Sequence, residues 1–104
     1  MLYEKTRVKH EEERDVINSR VMLMERYFVT VQDILNNDNI NICENVEILE
    51  MIHILKEYQD SGQWLKDYQC DEKGIIPLDL KRGVLSEDGL YNLLDEVESV
   101  LSTR

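Results

Sequence analysis

Glu50 and His53 stand in the pattern Glu-x-x-His, the spacing at which a helix presents a carboxylate and an imidazole on one face, as in bundles that hold two iron ions. Such a centre needs the motif twice. The chain's other histidine, His10, has Arg7 at the matching position, so His53 reads as a surface residue between Glu50 and Glu57. Cys43 and Cys70 lack CxxC spacing and a supporting histidine, and read as reduced thiols, not as a disulfide, metal ligands or a nucleophile. Four carboxylates, Asp67, Asp71, Glu72 and Asp79, fall close together and could converge on a hard cation. No EF-hand spacing orders them, and the expectation is a solvated acidic face bridged to Lys66, Lys73 and Lys81. Lys81 and Arg82 could hold an anion beside a helix start, yet Glu87 and Asp88 already face that positive end. Glycines are too sparse for a phosphate cradle. On these grounds no cofactor, metal or catalytic residue is expected.

The whole chain carries 22 acidic against 12 basic residues, a formal charge of −10, which opposes binding to a phosphate backbone. Nucleic acid is therefore not the expected partner; docking on a basic partner, or mimicry of nucleic acid, is a minor reading. A chain of 104 residues with 42% hydrophobic content is expected to form one domain around one core. No apolar run approaches the ~20 residues of a membrane span, and Met1–Arg14 contains no apolar signal segment. The expected location is the cytoplasm, without membrane association.

Behind these residues stand helices. Ile17, Val21, Met24, Phe28, Val31 and Leu35 recur at steps of four and three, which predicts an amphipathic helix over 15–36. Carried backwards, the stripe meets Arg14, His10 and Arg7, so 1–14 reads as a charged N-terminal extension, a frayed or solvated helix, ahead of a single helical domain at 15–104. Asn36–Asn39 should stop the helix, because these residues tolerate left-handed backbone. Asn41 and Glu44 fit a capping box opening a helix over 42–59, apolar around most of its circumference and so packed on two sides, one of them against a second chain if not within its own. A short helix over about 62–69 carries Trp64, Leu65 and Tyr68, with Trp64 as a core plug.

The connection Asp71–Gly83 is longer than helix pairing needs. Pro77 biases Ile76 away from helix, so 75–80 is expected to run extended, with Leu78 and Leu80 facing the core and Gly83 turning the chain. Ser86 as N-cap, Glu87 and Asp88 in the first turn and Leu85 against Leu90 then predict a last helix over 87–102. The fold class is all-α: a small three-helix bundle with a short extra helix and a long ordered loop before the last helix.

Trp64-Leu65-Lys66-Asp67, Gly74, Pro77 and the string Asp79-Leu80-Lys81-Arg82-Gly83-Val84-Leu85-Ser86-Glu87-Asp88 resemble a bacterial family, the domain of unknown function 4298. Ile17, Arg20, Val21, Met24 and Glu25 are similar to its N-terminal pattern, so the resemblance covers about 17–95. This chain departs from it at Tyr58-Gln59-Asp60, where the family pattern has a second tyrosine, and in residues 1–14. The resemblance implies a helical fold and a bacterial origin, and no substrate, cofactor or catalytic residue.

Chemistry therefore has to carry the functional expectation, and its motif-dense stretch is roughly 58–91. The favoured reading is a protein-binding or assembly module, its partner another protein or a second copy, with Trp64, Tyr68, Ile75, Ile76 and Pro77 presented by an ordered loop. Leu78, Leu80, Val84 and Leu85 are the expected anchors into the core. Asp79, Lys81, Arg82, Gly83, Ser86, Glu87 and Asp88 complete the motif, with Arg82 locking the loop against a carboxylate. The alternative is an enzyme or a small-ligand or cation-binding domain with Asp67, Asp79 and Arg82 enclosing a pocket around 64–88.

Overall fold

The computed structural model describes residues 2–37 and 41–102, with side chains from residue 14 onward. Four α-helices follow one another: α1 (Leu2–Leu35), α2 (Val46–Asp60), α3 (Gln63–Glu72) and α4 (Gly89–Ser102). Short 3₁₀ turns occupy Ile42–Glu44 and Gly83–Leu85, and there is no strand among the described residues. The all-α class and the long link before the last helix agree with the sequence reading.

The apolar stripe of α1 does what its period requires: Val21, Met24, Phe28 and Val31 are buried, with Ile17 and Leu35 partly covered against the core. The helix itself begins at Leu2, well ahead of the 15–36 span that the stripe predicts, since good helix formers continue it without an apolar face. The side chains of Arg7 and His10 lie outside the described residues. Its end, at Leu35, falls where the asparagine run was expected to stop it. No residue other than glycine has positive φ among the described residues, and the Asn37 N–H bonds to the Ile34 carbonyl at 3.0 Å, so a tightened last turn replaces a left-handed cap. Asp38 and Asn39 lie outside the described residues.

The capping box at Asn41 is corrected as well. The Asn41 side chain accepts from the Cys43 N–H and caps only the 3₁₀ turn, while Asn45 accepts from the Ile48 N–H and starts α2. Asparagine serves both, because each break leaves orphan amides. From there α2 buries Ile48, Ile52, Leu55 and Tyr58.

α3 stops at a left-handed glycine. Gly74 has φ 76°, and the Ile75 N–H reaches the Cys70 carbonyl at 3.1 Å while the Gly74 N–H reaches Asp71 at 3.0 Å. Past this cap the expected extended run over 75–80 does not form. The Leu80 N–H bonds to the Pro77 carbonyl at 3.2 Å, closing a turn that throws Leu78 into solvent, 89% exposed. Ile76, expected at the surface, is 1% exposed and belongs to the core; strand alternation fails because the chain bends here. Val84 and Leu85 are buried as anchors, and Leu80 is partly so.

α4 starts at Gly89, after Ser86. The Ser86 backbone is extended, φ −65° and ψ 149°, as an N-cap requires, but its hydroxyl donates backwards to the Gly83 carbonyl at 2.7 Å instead of accepting from the helix. A Cβ on Gly89 would overlap Ser86 Oγ and sit 3.0 Å from the Gly83 carbonyl oxygen, so this close approach needs glycine. Leu90, Leu93 and Val97 bury the inner face of α4, and the 83–85 turn fills the space between α1, α3 and α4.

Candidate functional site

Asp67 is 1% exposed, and a carboxylate removed from water is tolerated only when paired and hydrogen-bonded. Arg20 of α1 supplies both: Nε donates to Oδ2 and Nη2 to Oδ1, each at 2.8 Å. The Tyr58 hydroxyl, from α2, donates to Oδ2 at 2.7 Å, and Gln63 Nε2 donates to Oδ1 at 3.0 Å. Four donors from three helices thus use the about four lone-pair positions of a carboxylate. Burial, and after it the bond to Asp67, pushes the Tyr58 phenol well above its ordinary range. The Arg20 guanidinium is held still more firmly charged by its hydrogen bonds to Asp67. Chemically this knot joins helices and leaves Asp67 no oxygen for a metal or a substrate proton.

Beside it, Val84 is held at both ends of its peptide. Its N–H donates to Glu25 Oε1 at 2.8 Å, and its carbonyl accepts the Trp64 indole N–H at 2.8 Å. The Trp64 ring stacks on Tyr68, centroids 5.1 Å apart and planes 21° apart. Trp64 is therefore a half-buried clamp, not a fully enclosed plug. Arg82 Nη1 donates to Asp71 Oδ1 at 2.9 Å and to the Pro77 carbonyl at 3.2 Å, tying the turn after α3 to that helix's last residues. The Tyr68 phenol is raised above its usual value, first by Glu72, then by partial burial, Glu87 and Asp71.

The residues singled out from the sequence separate accordingly. Asp67, Ile76 and Val84 are buried, and Trp64, Tyr68, Ile75 and Arg82 are half-buried. Pro77, Asp79 and Lys81 face solvent, as do Gly83, Ser86, Glu87 and Asp88. Asp71 pairs with Arg82, the carboxylate lock expected of that arginine, while Asp67 pairs with Arg20 and not with an expected lysine, because the forked guanidinium reaches into covered sites that a hydrated ammonium avoids. Among the described residues no three His, Cys, Asp or Glu side chains are grouped to hold a metal. Asp67 points inward while Glu72 and Asp79 stay at the surface, so the acidic segment does not converge. Glu50, His53 and Cys43 are exposed, and Cys70 is half-buried. Arg20, Glu25, Trp64, Asp67 and Val84, five of the residues that carry the family resemblance, thus meet in a single lock.

A concave feature lies elsewhere. Between α2 and α4 runs an open groove of 420 Å³, floored by Ile52 and Val97 with Leu94 and Leu101 along its side. Lys56 and Gln59 edge it on α2, and Tyr91, Asp95 and Glu98 on α4. Tyr91 is 64% exposed although it sits beside buried Leu90. The signal for this place in the sequence is the apolar breadth of α2 together with Tyr91, Leu94, Glu98 and Leu101 at steps of three and four.

A family model described as Domain of unknown function (DUF4298) matches residues 21–103. No curated protein matches the chain, and no solved structure does. No helix among the described residues is long and apolar enough to cross a membrane.

Proposed function

The chain belongs to the DUF4298 family, a premise that brings no activity with it, and we propose that it works as a protein-binding module whose docking surface is the α2–α4 groove. The observation that carries this reading is the groove itself, where half-buried Leu94 and Leu101 and the largely exposed Tyr91 ring stand over buried Ile52 and Val97. Concave sites in which apolar side chains stand among polar ones are where side chains of a partner gain most from leaving water. The 64–88 segment is the weaker candidate surface. Its indole, its buried carboxylate and its arginine are spent on internal bonds, and Ile76 is core. Leu78 remains exposed at the loop tip, but a lone apolar side chain at a surface is ordinary.

A photo-crosslinking residue placed at Glu98 in the full chain, with Leu78 as the comparison position, tests the proposal in cells. The expected result is one discrete adduct from position 98, identified by mass spectrometry and lost when Tyr91→Asp is added to a chain that melts unchanged. An adduct from position 78 alone would move the surface to the loop and overturn the proposal.

A further inference from the structure

Resting on the groove reading above, we infer that its occupant is a basic amphipathic helix of a different protein. Shape argues for a helix. α4 lines the groove from Tyr91 to Ser102, about 17 Å or three turns, and α2 contributes Ile52, Lys56 and Gln59 at steps of four and three. Two helical ridges with a trough between them accept the side-chain row of a third helix, and α2 and α4 offer no strand edge for an extended peptide to pair with.

Charge selects the partner's sign. α2 carries four carboxylates, Glu47, Glu50, Glu57 and Asp60, against Lys56; α4 carries Asp95, Glu96 and Glu98 and no cation. The two helices together hold −6 of the formal −10, and on the groove's own edge Asp95 and Glu98 stand on α4 opposite Lys56, an excess of one negative charge. A second copy docking here would bring Asp95 and Glu98 twice over against only two copies of Lys56, and the unpaired like charges left across such an interface are costly. A helix with lysine or arginine flanking an apolar row meets both the floor and the edge, and Lys56 favours one acidic residue on the partner's α2-facing side.

The probe is a synthetic peptide of about 18 residues, five turns of helix, with leucine on one face and lysine elsewhere. Two controls accompany it: the same leucine face with glutamate replacing lysine, and the first composition scrambled so that the leucines share no face. The basic amphipathic peptide should bind the full chain one-to-one and shift the amide resonances of Tyr91, Leu94 and Glu98. Asp95→Lys with Glu98→Lys should weaken it roughly tenfold or more without altering the melt, and added salt should weaken it further. Equal binding by the scrambled peptide would reduce the effect to bulk charge and overturn the inference. Groove binding by the glutamate peptide in preference would overturn the partner's sign while leaving the groove reading intact. A dimer in sedimentation that dissociates on Tyr91→Asp would put a second copy in the groove and overturn it too. Should no peptide shift the groove resonances, the inference falls, and the groove reading is then judged by the Glu98 crosslink alone.

Discussion

Acidic and aromatic residues are used in opposite ways in two parts of this molecule. In the lock, Asp67 is sealed beneath Arg20, Tyr58 and Gln63, and Trp64 is bonded to a backbone carbonyl. Along the groove, Asp95, Glu98 and Tyr91 stand in solvent with no such commitments among the described hydrogen bonds. The lock draws Arg20, Glu25, Trp64, Asp67 and Val84 from the residues that carry the family resemblance, whereas the groove is built from residues that any amphipathic helix carries. Distinctive residue types accumulate where a buried polar atom accepts only one kind of partner. A surface that waits for another molecule need satisfy no such condition in the free protein.

Breaking the lock should cost most. Asp67→Ala removes the shared acceptor and leaves Arg20 and Tyr58 facing a void, with an expected loss of about 3–5 kcal/mol in chemical denaturation. The lower end is expected, since a quarter of the Arg20 side chain already meets water. A variant as stable as the parent would show that the knot holds nothing. Trp64→Phe strips the donor from the Val84 carbonyl and trades the indole for a smaller ring; about 1–3 kcal/mol should be lost, and a neutral result would show that neither the bond nor the indole's bulk holds the turn.

Alkali should release the same lock. The folded Tyr58 phenol is raised above its unfolded value, so its contribution is complete below the ordinary tyrosine range, about pH 10, and disappears as pH rises beyond it. The unfolded chain then ionises where the folded one cannot, and stability should fall by up to about 1.4 kcal/mol per pH unit from this group. Comparison with Tyr58→Phe isolates it, because that variant should be less stable at neutral pH and show a correspondingly shallower alkaline slope. The smallest effects belong to the solvent-facing side chains. Tyr91→Ala in the groove and Leu78→Ser at the loop tip should each change stability by less than about 0.5 kcal/mol. A larger loss for Tyr91→Ala would mean that the groove wall is part of the core, and the contrast with the lock would disappear.

Much of the helical layout was legible in local pattern. The stripe from Ile17 to Leu35 implied α1's buried face, since the helical period repeats within a few residues. Boundaries were less legible: Asn41 and Asn45 offer the same capping chemistry, and the chain uses both. The resemblance placed Arg20, Glu25, Trp64 and Asp67 in one pattern, but not what each holds. Asp67 and Arg20 are 47 residues apart, and Val84 and Glu25 are 59 apart, so no spacing rule joins them.

What the sequence determined alone was the helical class, the apolar faces, the family and the stretch where residue types are unusually specific. These follow from interactions within one or two turns of backbone, whose energies depend on near neighbours. The inward turn of Ile76, the outward turn of Leu78, the sealing of Asp67 and the open trough between α2 and α4 were decided by tertiary structure. Each depends on which surface returns across the chain to cover it. Burying a carboxylate is costly or stable according to donors supplied from three separate helices, and an apolar face becomes floor or core according to whether another helix reaches it.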